Sequence, residues 1–374
     1  MKHRRGHFLL AALLGLCCLA ASAPTESARR HPQRVGTAAS VERILAHMTL
    51  AQKVAQLFMV PVNGGDLARE VHDWQVGGLI LFGDDVGAPD QWRSFIAGAQ
   101  RLSRLPLLIA TDEEGGDTAS ISPAVVPPLL APHQYGLIGS TQRVYQDAMA
   151  TGRGLRALGI TMDLAPVVDV LDNPDSPIGD RSFGADPALV ARLGVAAIRG
   201  YQDAGIAATA KHFLGLGSVA ADAHRALPLV ERTRAQLEAV EMVPIRAAVA
   251  TGVEALMVTH SVIPALDPTG TPASLSPRIM SYIRHQLGFK GLIITDSLAM
   301  GGLTVWVKTN EEASVRAIAA GADMALLATV ASVVRRAMDD VQHAVITHRI
   351  AMATIDNAVR HVLQLKVTLG LLHS

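Results

Sequence analysis

Short apolar runs alternate with longer amphipathic stretches along most of this chain. The runs are Leu57–Val62, Gly78–Phe82, Leu107–Ala110, Thr161–Leu164, Ala207–Ala210, Ala255–Val258, Leu292–Thr295 and Met324–Ala328. Apolar runs with no polar alternation predict strands buried on both faces, as in a parallel sheet. Between them, residues 139–157, 188–203 and 233–250 repeat apolar positions at helical spacing. Thr49 with Gln52 predicts a capping box on a short helix, and Ile355, Val359, Val362 and Leu363 mark one face of a closing helix. Eight strand–helix units in about 320 residues predict an α/β fold of one domain, a (β/α)8 TIM barrel with slight departures from regularity. An open doubly wound sheet is the rival. It would carry a Gly-rich phosphate turn after its first strand, and none follows Leu57–Val62.

The first residues break the alternation. Lys2, Arg4 and Arg5 precede an apolar run from Phe8 to Ala21, followed by Ser22 and Ala23. A basic head, a short apolar stretch and small residues read as a secretory signal peptide, and the run is shorter than the roughly 20 residues of a membrane-spanning helix. An uncleaved anchor or a buried first helix is the competing reading. Pro24 disfavours cleavage directly after Ala23. The stretch from Ser22 to about Val41 is polar and proline-bearing and reads as a tether. The expected division is a signal peptide over 1–23, a flexible tether over 24–40 and one barrel domain over 41–374, in an exported, extracytoplasmic protein.

Composition changes this picture in two ways. Of the 374 residues 49% are hydrophobic, and 33 basic side chains face 33 acidic ones. That excludes a disordered chain and argues against a nucleic-acid partner. Loss of residues 1–23 removes three basic groups and no acidic one, leaving a net charge of about −3. The only cysteines, Cys17 and Cys18, leave with the same segment, so no disulfide framework or cysteine zinc site can be built. Leu16 before Cys17 and Cys17 before Cys18 match a lipidation box poorly. A lipid on one of these cysteines is the only membrane tether the sequence offers.

Candidate chemistry sits where the strands end, the position of barrel active sites. Strand three ends in Asp112-Glu113-Glu114-Gly115-Gly116, strand four carries Asp163 and then Asp169, strand five ends in Lys211-His212, strand six in His260 and strand seven in Asp296. A single strand-end Asp is commonly a helix cap; several polar groups converging on one mouth point to a site. Asp163 and Asp169 read as structural or as supports behind the site residues, and His260 as either a pocket residue or a packed one.

At these residues the chain resembles a known family. Ile178-Gly179-Asp180-Arg181-Ser182-Phe183, Lys211-His212-Phe213 with Asp222-Ala223-His224, Pro272-Ala273-Ser274-Leu275-Ser276, and Ile294-Thr295-Asp296-Ser297-Leu298-Ala299-Met300 are similar to motifs of glycoside hydrolase family 3. The likeness runs from about Met48 to Leu372 and is strongest to the single-domain bacterial β-N-acetylhexosaminidases of the muropeptide-recycling type. It implies a retaining hydrolase that removes terminal β-linked N-acetylglucosamine, with peptidoglycan fragments as the expected source. It implies Asp296 as nucleophile, His224 as acid/base and Asp222 as the group that orients His224. Asp112, Arg181, Lys211 and His212 are implied as sugar-binding residues. Such chemistry needs a carboxylate to attack the anomeric carbon and a second group to protonate the leaving oxygen. Histidine titrates near neutrality and can serve both half-reactions. No metal or organic cofactor is required, and the expected partner is a small carbohydrate. Sparse aromatics, 4% of the chain, suit a pocket gripping one terminal sugar by polar contacts.

The chain also departs from that family. Leu214-Gly215-Leu216-Gly217-Ser218 stands where Pro-Gly-His-Gly-Asp is usual, and Asp117 stands where an Arg is usual. Asp112, Glu113, Glu114 and Asp117 together are expected to crowd, which would raise carboxyl pKa values or loosen Asp112. Arg181 has an ordinary alternative as a salt bridge to Asp180 or Asp186. Two other functions compete: a degenerate barrel that binds wall saccharides without cleaving them, and an aldolase-like barrel using Lys211 as a Schiff-base amine.

Overall fold

The computed structural model describes residues 34–62, 68–82, 88–122 and 125–372. The expected signal peptide, with Cys17 and Cys18, lies outside the described residues. Ten strands run β1 (Phe58–Pro61), β2 (Gly78–Ile80), β3 (Leu108–Thr111), β4 (Glu113–Gly115), β5 (Thr118–Ala119), β6 (Met162–Asp163), β7 (Ala207–Phe213), β8 (Ala255–Val258), β9 (Leu292–Thr295) and β10 (Ala325–Leu326). Eight of them form one parallel sheet in the order β10-β1-β2-β3-β6-β7-β8-β9. Each coincides with one of the eight apolar runs. The ring is joined between β9 and β10 by a single Ile294–Met324 bridge and neighbouring bonds, including Thr295 N–H to Met324 O at 3.0 Å and Leu298 N–H to Leu326 O at 2.9 Å. β4 and β5 form a separate antiparallel hairpin at the end of β3.

Alternate residues of each strand serve two cores, as the strand period dictates. Met59, Ile80, Leu108, Ala110, Met162, Leu164, Met257 and Ile294 fill the barrel interior. Phe58, Val60, Leu79, Ile109, Leu256 and Ile293 face the surrounding helices. The closing helix Met352–Thr368 lays Val362 and Leu365 against the interior cluster and so plugs the end where the strands begin. The opposite end stays open.

Two boundaries differ from expectation. A helix spans Arg34–His47, so part of the stretch read as a tether over 24–40 is helical, and Val41 and Leu45 on it are buried. The stretch 233–250 forms two helices, Arg234–Ala239 and Met242–Thr251. Pro244 explains the break: within one continuous helix its ring would strike the carbonyl of Val240, whereas the first turn of a new helix accepts it. The capping box at Thr49 is present, with Thr49 N–H to Gln52 Oε1 at 2.8 Å and Gln52 N–H to Thr49 Oγ1 at 3.3 Å.

Candidate active site

The open end holds a cavity of about 730 Å³ whose walls include Asp112, Arg181, Lys211, His212, Asp222, His224 and Asp296. All seven residues singled out from the sequence therefore meet at one mouth, joined by Glu114. Strand β7 supplies two of them side by side. Its pairing with β8 shifts register between Ala210 and Phe213, so β7 bulges there. A regular strand would send Lys211 and His212 to opposite faces; the bulge brings both to the cavity.

Glu114 is the centre of charge. Its Oε1 and Oε2 accept from Arg181 Nη2 at 2.8 Å and Nε at 2.6 Å, a bidentate pair. Lys211 Nζ lies 2.5 Å from Glu114 Oε1 and donates to Asp112 Oδ1 at 2.6 Å. Burial alone would push the Glu114 carboxyl up, but Lys211 and Arg181 pull it down to about 2. Burial would likewise lower Lys211, yet Asp112 and Glu114 hold it above the ordinary lysine range. Glu114 and the two cations thus stay ionised together. A Schiff-base amine needs the opposite, a lysine made neutral, so the aldolase-like reading loses its residue.

The expected crowding of carboxylates is small, with Asp112 adding only a minor upward push on Glu113. Alternation along the hairpin turns Glu113 and Glu114 to opposite sides. Glu113 is buried away from the cation pair, accepts the Ile121 N–H at 3.0 Å, and is pushed by burial up to about 7. Asp117 is exposed at the cavity rim. Arg181 pairs with Glu114 rather than with Asp180 or Asp186, and Asp186 instead caps the helix Pro187–Asp203 by accepting the Ala188 N–H at 2.9 Å.

Asp169 organises the next wall. Its Oδ2 accepts from both His212 Nδ1 at 2.7 Å and His212 N–H at 3.0 Å, while Oδ1 accepts the Leu216 N–H at 3.2 Å. With Nδ1 held there, His212 offers Nε2 to the cavity. Leu216 lines the same wall. Asp163 is fully buried behind β4, its Oδ1 accepting the Glu113 N–H at 2.9 Å, which matches a structural role.

Asp296 follows directly on β9. Its Oδ1 accepts the Ser297 N–H at 2.8 Å. Burial pushes its carboxyl up, but His212, His260, the Ser297 N–H and Lys211 outweigh it and hold the pKa below the ordinary carboxylate value. His260 does not reach the cavity. Its Nε2–H donates to Ser297 O at 2.9 Å, which leaves Nδ1 to accept from the Ser274 hydroxyl at 2.7 Å. It thus fixes the turn on which Asp296 sits, and burial lowers its own pKa. The Pro272–Ser276 segment supplies Ser274 for this purpose.

His224 stands apart from these buried groups, its side chain 70% exposed. Its Nδ1 lies 2.8 Å from Asp222 Oδ1, which also accepts the His224 N–H at 2.9 Å. That backbone bond, more than the ring, lowers the Asp222 carboxyl. An anionic Asp222 on Nδ1 leaves Nε2 free of that contact. Sequence reasoning missed the role of Glu114, whereas Asp169 supports His212 from behind, in line with its reading as a structural or supporting group. Glu114 was visible only as one member of an acidic run, and the alternation of a hairpin there was the signal that could have separated it from Glu113.

A parallel eight-stranded barrel with a carboxylate, a carboxylate-held imidazole and an ion-paired polar cradle at its open end is an arrangement compatible with glycoside hydrolysis. Residues 49–365 match the family described as glycosyl hydrolase family 3 N terminal domain. A beta-hexosaminidase of Thiobacillus denitrificans is 36% identical over 282 residues, covering 72% of this chain and 77% of that one. A beta-hexosaminidase of Mycobacterium tuberculosis is 33% identical over 334 residues, covering 86% and 84%. Among solved structures, a family 3 beta-N-acetylglucosaminidase from a Paenibacillus species superposes with a TM-score of 0.84 at 38% identity. It covers 87% of this chain, which in turn spans 63% of the Paenibacillus chain. The chain belongs to glycosyl hydrolase family 3.

Proposed function

We propose that the protein is a retaining, exo-acting β-N-acetylhexosaminidase that releases terminal β-linked N-acetylglucosamine. The observation carrying this reading is the placement of Asp296 and the Asp222–His224 pair around one cavity whose floor is a fixed cation–carboxylate cradle. Asp112, Lys211, Arg181 and His212 bind the hydroxyls of the terminal sugar. An Asp296 oxygen attacks the anomeric carbon as His224 gives its proton to the departing oxygen, and a glycosyl ester to Asp296 results. His224 then takes a proton from water, which displaces Asp296 and restores the carboxylate, with net retention. The proposed natural substrates are peptidoglycan fragments met outside the cytoplasm. The basic and apolar start of the chain supports that setting, and the beta-hexosaminidase names of its relatives support the sugar released.

Leu216 in the cavity wall and Asp117 at its rim favour a second reading, a barrel that holds wall saccharides without turnover. Release of nitrophenol from a β-N-acetylglucosaminide by the wild type, compared with Asp296→Asn, separates the two. The proposal expects turnover by the wild type and loss in the variant; no turnover by either protein supports the binding reading.

A further inference from the structure

The loop bearing Asp222 and His224 rests on the connection that follows Asp296. The Gly302 N–H donates to Ala223 O at 3.1 Å. A Cβ at Gly302 would lie 2.4 Å from both Ala223 O and Ala226 O, and one at Gly301 would lie 2.5 Å from His224 O. All three distances fall below the 3.0 Å that Cβ contacts respect. The atoms met are backbone carbonyls, which cannot rotate away as a side-chain tip can. Both glycines begin the short helix Gly301–Thr304, so it is the close approach of two backbones that requires them. The loop they support is a single tight turn, Asp222 O accepting from Arg225 N–H and Ala226 N–H at 2.9 Å each. Displacing Ala223 or Ala226 therefore displaces His224 with them.

We infer that Gly301 and Gly302 are positioning residues, a seat that sets where the Asp222–His224 loop stands over the cavity. The connection leaving the nucleophile's own strand thereby fixes the acid/base: the turn at Asp296–Ser297, held by His260, leads within five residues to the seat. The inference rests on His224 as the proton donor. An alanine at Gly302 must push the loop outward by several tenths of an ångström, and a misplacement on the order of 1 Å can cost about a hundredfold in rate.

The test compares wild type, Gly302→Ala, Gly301→Ala and His224→Ala on β-N-acetylglucosaminides with a dinitrophenyl or a methyl leaving group. Hydrogen exchange is followed at the amides of Ala223 to Ala226. Proton donation matters for the methyl glycoside and little for the dinitrophenyl one. Gly302→Ala should therefore lower kcat/KM about tenfold or more on the former and less than about threefold on the latter. Exchange at 223–226 should quicken while β9 stays protected. Gly301→Ala, which meets one carbonyl instead of two, should show a smaller change of the same kind, and carries the test if Gly302→Ala does not fold. Equal losses on both substrates, or unchanged rates and exchange, would overturn the seat. If His224→Ala itself lacks leaving-group dependence, the acid/base assignment fails, and faster exchange at 223–226 in Gly302→Ala still supports the seat.

Discussion

Two lysines are buried at opposite ends of this barrel, and they meet opposite fates. Lys211, at the open end, has Asp112 and Glu114 within hydrogen-bond distance and is held above the ordinary lysine range. Lys366, in the helix that plugs the closed end, has among the described residues just the neutral Gln56 Oε1, at 2.6 Å, and burial drops it to about 7. The same side chain, equally withdrawn from water, stays a cation in one place and is about half deprotonated at pH 7 in the other. Burial disfavours charge; opposite charges in contact restore it. The open end keeps buried groups ionised by pairing them, whereas the closed end is apolar and its buried Lys366 loses part of its charge at neutrality.

The comparison breaks most sharply at Glu114. Glu114→Gln removes the carboxylate shared by Lys211 and Arg181, leaving Arg181 without its ion pair and Lys211 with Asp112 alone, which should cost about 3–5 kcal/mol of stability. Urea unfolding reads this directly, and a loss below about 1 kcal/mol would mean the pairs are solvent-screened after all. Next comes the exposed partner of the site. His224→Ala should cost about 10²–10⁴ in kcat/KM on a poor leaving group. Its unfolding free energy should stay within about 0.5 kcal/mol of wild type, since an exposed side chain carries little packing. Equal rate losses on good and poor leaving groups would remove its assigned role.

The closed end gives a smaller, pH-dependent signal. Unfolded, the Lys366 amine titrates near 10.4, and folded near 7. Between those values the unfolded chain binds the extra proton, so this residue makes stability rise with pH by up to about 1.4 kcal/mol per unit. The gain is complete above the unfolded value and is lost as pH falls through 7. Lys366→Met should flatten that slope between pH 7 and 10 and leave kcat/KM unchanged, as measured by unfolding and nitrophenol release across that range. A slope identical to wild type would show that the amine stays charged in the fold.

Sequence legibility follows the same division. The strands announced themselves because their interior-facing and helix-facing positions are both apolar, so Leu57–Val62 or Leu292–Thr295 reads as a continuous run. The seven polar residues at the mouth were legible because strand ends and a family likeness both point to them. Glu114 was not: two adjacent glutamates look alike until a hairpin turns one to Arg181 and the other into the wall. His260 was ambiguous, because the Ser274 and Ser297 groups that settle its orientation are distant in sequence. The break at Val240 was written in Pro244, though the apolar spacing on either side concealed it.

The central claim is that Asp296 becomes covalently bonded to the sugar. Treating the wild-type protein with a fluorinated, activated N-acetylglucosaminide that forms the glycosyl ester faster than it is hydrolysed, then mapping the labelled peptide by mass spectrometry, tests it most directly. The account predicts one sugar per chain, on Asp296, and none on Asp296→Asn. Label on Asp112, Glu113 or Asp222, or turnover of the activated sugar with no ester formed, would contradict it.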